Sequence, residues 1–235
     1  MIIELEKKKT NYYFFLNNKI FKTPIGNEIY IESYKVAIKL LKYLDLCLNK
    51  NNKERSFFLE ILYFNYDLNK ENKKNFIKKT INYLNTDLLF YRADKNTELE
   101  KIQKKKWDPL LFFLEDKYKL FFKVTNTIMP IYQKSENFLK LLKILEELDN
   151  SQFSTYYFIT NFSNSNIIAL NFITNNIKSN LAWECISIED TYSLKKWGDD
   201  EEARKKLQEK RKYFDEIARF YLLFNNQENN NDRDK

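Results

Sequence analysis

The chain contains no histidine. That removes the commonest general base, the commonest metal ligand and every Ser-His or Cys-His nucleophile pair. There are only 2 glycines and 3 prolines among 235 residues. So few glycines leave no phosphate-cradling loop and no dinucleotide fingerprint. So few turn formers argue against an all-β fold built on tight hairpins. The two cysteines, Cys47 and Cys185, lie far apart in helical apolar patterns. They predict buried thiols in a reducing compartment and no disulfide framework. No apolar run reaches the roughly 18 residues of a membrane span. The stretch Met1–Lys9 is short and mixed in charge, and reads as neither a signal peptide nor a transit peptide. Carboxylate chemistry is what remains for an enzyme, and no DxD or paired-Glu pattern points to it. No catalytic residue, metal, cofactor or small-molecule substrate is expected.

What is present is a large supply of core-forming side chains. Hydrophobic residues make up 43% of the chain, and 20 Phe and 16 Tyr supply most of the aromatic volume. The net charge of +7 is uneven. From Lys70 to Lys106 there are 11 basic and 5 acidic residues, a local +6. From Ile188 to Glu202 there are 6 acidic and 2 basic residues, a local −4. The first stretch is either a solvated face or a surface for an acidic partner, and the second is an acidic patch.

Periodicity predicts an α+β chain of two domains. Tyr12–Leu16 and Lys19–Lys22 read as strands joined by Asn17-Asn18, a pair that tolerates the positive φ of a two-residue hairpin turn. Thr23–Asn27 reads as a second turn, and Glu28–Ile31 as a returning strand. Ser33 reads as the N-cap of a helix carrying Ala37, Leu40, Leu41, Leu44 and Leu48. After the polar run Asn49–Arg55, Phe57, Phe58, Ile61 and Leu62 predict a short helix, and Ile77, Ile81, Leu84 and Leu88 another. The stretch Leu88–Ala93 is either the end of that helix or an extended piece. Asp108-Pro109 reads as an N-cap followed by proline at the first helical position. Lys119–Thr125 alternates loosely, as a strand would. Phe138, Leu141, Leu142, Leu145 and Leu148 form a clean amphipathic stripe. Ile167–Ile173 reads as the central buried helix, Leu181–Ile188 as a further helix, and Glu201–Phe224 as a long last one. The expected architecture is a small N-terminal antiparallel β-rich domain over 1–60 with one or two helices. A larger all-helical C-terminal domain follows over 61–224, and the polar residues 225–235 form a disordered tail.

Against a background rich in Lys, Asn and Ile stand five islands in order. They are Leu16–Lys19 with Thr23-Pro24; Thr86–Ala93, which contains Asp87, Tyr91 and Arg92; Trp107-Asp108-Pro109-Leu110; Lys123–Thr125 with Met129-Pro130; and Trp183-Glu184, Glu189-Asp190, Tyr192 and Trp197-Gly198. Together they resemble the assembly chaperones that act on the α subunit of the ATP synthase catalytic head, known in mitochondria as complex assembly factor 2, with bacterial homologues. Thr191, Ser193 and Asn85 stand where that family usually has a third acid, Gln and Gly. The resemblance implies a β-rich N-terminal domain joined to a helical one. It implies a non-enzymatic chaperone that covers the interface of the free α subunit until the β subunit replaces it. It also implies that Glu189, Asp190, Tyr192 and Trp197 belong to the client-binding surface. The bacterial cytoplasm is the expected compartment, with the mitochondrial matrix as the alternative.

Physical readings stand beside those roles. Carboxylates at 189 and 190 favour a helix N-terminus whatever else they do. Trp107 reads as a core anchor, and Arg92 as a clamp onto Asp87 or Asp108. Trp183 and Trp197 either pack between helices or, if exposed, anchor a partner. A rival function is nucleic-acid binding through Lys70–Lys106, which would weaken steeply with salt.

Overall fold

In a computed structural model, residues 2–49, 57–198 and 200–225 are described. The polar run around 50–55 and all of the expected tail 225–235 except Asn225 fall outside them. Two compact units emerge. One runs to Asn69 and takes in the last helix from Arg219; the other spans Lys70–Ala218.

The first unit is built on a four-stranded antiparallel sheet. Strand β1 (Ile3–Lys8) pairs with β2 (Asn11–Leu16), with Ile3 opposite Leu16 and Lys8 opposite Asn11. The other edge of β2 pairs with β3 (Lys19–Ile20) and, further along, with β4 (Tyr30–Ile31). Asn17 and Asn18 have φ of 48° and 63°, the two positive values that a type I′ hairpin needs. The Thr23–Asn27 turn closes on itself. Thr23 N donates to the Asn27 carbonyl, and the Thr23 hydroxyl accepts from Asn27 N. Gly26 sits there at φ +100°, a conformation that suits glycine. Phe14 and Ile29 on the sheet side are fully buried, as are Ala37, Leu40 and Leu44 of α1 (Tyr34–Asn49) and Phe58 and Ile61 of α2 (Phe57–Asp67).

The second unit is helical: α3 (Lys70–Ile81), α4 (Glu98–Tyr118), α5 (Ser135–Glu147), α6 (Asn150–Ser163), α7 (Asn166–Ile173), α8 (Ser179–Ile186), α9 (Ile188–Trp197) and most of α10 (Glu201–Asn225). Every residue of α7 is buried, its two asparagines included, and it packs on α6, α4 and α8. Phe214 of α10 meets Phe172, Phe162 and Trp183.

Four expectations are corrected. Asp108-Pro109 does not start a helix but lies inside α4, whose N-cap is Thr97; the Thr97 hydroxyl accepts from Glu100 N. The core stripe Glu100, Gln103, Trp107, Leu110 and Leu114 carries the helix through, and offsets the bond that Pro109 cannot donate. The helix around Ile77 stops at Ile81, leaving Leu84 in a 3-10 turn (Asn82–Asn85) and Leu88 in another (Leu88–Phe90). Lys119–Thr125 is extended but, among the described residues, forms a single bridge, Thr125 to Tyr91. Cys185 is buried, with its thiol pushed up to about 12 by that burial, whereas Cys47 is half-buried.

Candidate partner-binding site

The acidic-aromatic segment is α9 and the turn that follows. Ser187 ends α8 and opens α9, so Glu189 and Asp190 fall in the first turn, where carboxylates offset the positive helix end. Glu189 accepts a 3.0 Å bond from Gln103 Nε2 of α4. Partial burial, and then the neighbouring Asp190 charge, raise its carboxyl above the usual range. Asp190 is half-exposed and pairs at 2.7 Å with Lys210 of α10. Tyr192 is half-buried, and Lys196 Nζ lies 5.6 Å from its ring and 5.3 Å from that of Trp197.

Trp197 is 80% exposed. It closes α9, and the chain then turns through Gly198 at φ 101° and ψ 163°, a region open essentially to glycine alone. Asp200 starts the next helix by accepting from Glu202 N. Between α9 and the first turns of α10 lies a cleft of about 420 Å³. Leu194, Trp197, Ala203 and Leu207 give it apolar lining, and Asp190, Asp200, Lys206 and Lys210 line it as well. The cleft thus combines an exposed indole, apolar side chains and charged groups of both signs. Among the described residues, no group of three or more His, Cys, Asp or Glu is placed to hold a metal ion.

The other island residues sit inside the second unit. Arg92 bonds the Leu89 carbonyl through Nε at 2.7 Å and Asp108 through Nη2 at 2.9 Å, with its guanidinium 4.9 Å from the Trp107 ring. Trp107 is fully buried and donates its indole N–H to the Cys185 carbonyl. Asp87 is fully buried and goes elsewhere. It accepts from Leu89 N, Ser165 Oγ and Ile167 N, which ties the 3-10 turn to the start of α7. The Tyr91 hydroxyl donates to the Asn85 carbonyl and accepts from Ile131 N. Trp183 is half-buried, under Arg211.

Sequence reasoning missed Gln103 and Ser165. Gln103 is fully buried; it accepts from Ala93 N and donates to Glu189, and so joins two islands. Its signal was a polar residue at i+3 from Glu100 and i−4 from Trp107, on the core stripe of a helix. The basic stretch Lys70–Lys106 is spread over α3, the two 3-10 turns and α4. Lys104 and Lys106 pair with Glu100 and Glu184, Lys73 bonds backbone carbonyls near Leu148, and Arg92 is buried.

Residues 2–115 match the family described as the ATP12 chaperone protein. The fold matches the crystal structure of Atp12 from Paracoccus denitrificans with a TM-score of 0.81 at 20% identity, over 94% of this chain and 95% of that one. A point mutant of the P. denitrificans protein matches equally, at 0.81 and 20% over 94% of each chain. A protein of Agrobacterium tumefaciens matches at 0.78 and 18%, over 94% of this chain and 82% of that one. At these identities the likeness is one of fold. No curated protein matches the sequence. No helix among the described residues is long and apolar enough to cross a membrane.

Proposed function

We propose that this chain, a member of the ATP12 chaperone family by its residues 2–115, assists assembly of the proton-translocating ATP synthase by binding the free α subunit of the catalytic head. It covers the α-subunit interface until the β subunit takes its place. This is a binding role with no catalytic step. It belongs where the head is assembled, in the bacterial cytoplasm or the mitochondrial matrix. The observation that carries the site assignment is Trp197: a large aromatic that is 80% exposed and lines a cleft shared with Asp190.

The physical case is mass action. An unassembled ring subunit exposes apolar interface that aggregates, and a protein that binds it lowers the concentration of the sticky form. In this reading Trp197 supplies the buried anchor of the complex and the two carboxylates steer a basic client surface.

The test is capture of purified α alone, β alone and the complete head by the tagged chain. Capture of α alone is expected. Equal capture of β, or none of α, would sink the reading. For the site, Trp197→Ala should weaken capture by roughly 30-fold, the factor for a hot spot worth about 2 kcal/mol. Melting should not change, because the ring faces water. Glu189→Gln with Asp190→Asn should weaken capture several-fold at low salt and less at moderate salt. Gln at 189 can still accept the bond from Gln103. Capture unchanged in both variants would place the client surface elsewhere.

A further inference from the structure

The extended segment after α4 is half of a β-ladder. Its odd residues are bonded on one side. Phe121 N and O meet the Asn137 amide, and Lys123 N and O meet the Gln133 amide. Thr125 N donates to the Phe90 carbonyl, and Thr125 O accepts from Arg92 N. Two side-chain amides thus take the place of a neighbouring strand, then a true parallel bridge continues it. In an extended chain the even residues aim their N–H and C=O the opposite way. Among the described residues, the backbone groups of Phe122 and Val124 meet no hydrogen-bond partner.

The flank of this edge is apolar and open. Phe121 and Val124 are 46% and 48% exposed, and Ile128, Met129 and Tyr132 are 96%, 67% and 74% exposed. The charge there has one sign: from Lys119 to Lys134 there are 3 Lys and no Asp or Glu. An unpaired edge beside exposed apolar side chains is a template for an added strand.

We propose that residues 120–126 form a docking edge that takes an extended apolar segment, bounded by carboxylates, of the unassembled client as an added strand. The acidic flanks follow from the lysines at 123 and 134; Lys119 is already engaged by Asp116. A second copy of this chain would set lysine against lysine across the new pair, which disfavours it. Main-chain bonds to Phe122 and Val124 supply the register, and the apolar strip from Ile128 to Tyr132 packs against the incoming side chains. The proposal rests on the chaperone reading for the identity of the client.

The experiment uses the full-length protein and the purified free α subunit. Val124→Pro removes the outward N–H while leaving every inward bond in place, and proline is tolerated on a strand edge. It should weaken capture at least about tenfold with melting unchanged. Lys123→Pro, which breaks the inward bond to Gln133, is the control for loss of fold. In the unmodified protein, the amides of Phe122 and Val124 should exchange with solvent freely and become protected when the client binds. That readout stands even if Val124→Pro does not fold. Full capture by a folded Val124→Pro, or a complex in which these two amides stay unprotected, overturns the edge and spares the chaperone reading. Capture that is absent from the unmodified protein overturns both. Self-association lost in Val124→Pro with client capture intact would assign the edge to a second copy and overturn the proposal.

Discussion

Replacing Asp87 by Ala is expected to destabilise the 70–218 unit by about 3–5 kcal/mol, read by denaturant unfolding. The side chain is fully buried and serves two elements at once. On one side it caps the Leu88–Phe90 turn by accepting from Leu89 N at 3.1 Å. On the other it accepts from Ser165 Oγ at 2.8 Å and Ile167 N at 3.2 Å. Ser165 is itself the N-cap of α7, bonding Ile168 N. Alanine would leave two backbone N–H groups unpaired in the interior, loosen the cap and open a void beside the most buried helix of the unit. A loss below about 1 kcal/mol would mean that water replaces the carboxylate at no cost, and would end the account of Asp87 as the joint between these elements.

The same carboxyl carries a pH signature. Burial pushes it up to about 7 from 3.8, against the pull of its hydrogen-bond donors. Between about pH 4 and pH 7 the folded protein holds a proton that the unfolded chain has released. The stability contributed by this group is therefore fully present below pH 4 and lost as pH rises to about 7. Asp87→Asn resembles the protonated form and does not titrate. Relative to that variant, the unmodified protein should lose on the order of 4 kcal/mol between pH 4 and pH 7. A difference that stays flat over the range would show that the donors keep Asp87 ionised in the fold.

Where a residue's local chemistry agreed with its tertiary setting, the sequence was readable. The Asn17-Asn18 hairpin announced itself because two positive φ values call for such residues, and α7 because six of its eight residues are apolar. Helix α6 went unread. Its buried face includes Ser154, Thr155, Thr160 and Ser163, which hide the apolar period. Ser154, Thr155 and Ser163 are satisfied by bonding carbonyls four residues back. The cue that was there is Asp149-x-x-Gln152, a reciprocal capping box. Asp108-Pro109 was misread because a local capping signal competed with a core stripe that already starts at Glu100. At the candidate site, residue types identified α9, but nothing local could say that Trp197 faces water while Trp107 does not. Exposure is decided by which helices pack, and that is non-local. The open edge at Phe122 and Val124 was invisible for the same reason, since Gln133 and Asn137 lie 10 and 16 residues from the backbone they mimic a strand for.

The Arg92–Asp108 pair is expected to respond unequally to loss of its two partners. The Arg92 side chain is 2% exposed and that of Asp108 35%. Removing Asp108 leaves a guanidinium that cannot shed its proton inside the unit, and its Nη1 already meets no partner among the described residues. Asp108→Ala should therefore cost about 3–5 kcal/mol. Removing Arg92 leaves a carboxylate that reaches water. Arg92→Met keeps apolar contact with the Trp107 ring and gives up the bond to the Leu89 carbonyl, so it should cost about 1–2 kcal/mol. The double variant Arg92→Met with Asp108→Ala no longer buries an uncompensated charge. It should be more stable than Asp108→Ala alone by about 2 kcal/mol, a sign reversal that simple loss of contacts does not give. Urea unfolding of the four proteins at one salt concentration is the measurement. If the two costs add in the double variant, the pair is not electrostatically coupled, and Arg92 holds its place through Leu89 and Trp107 alone.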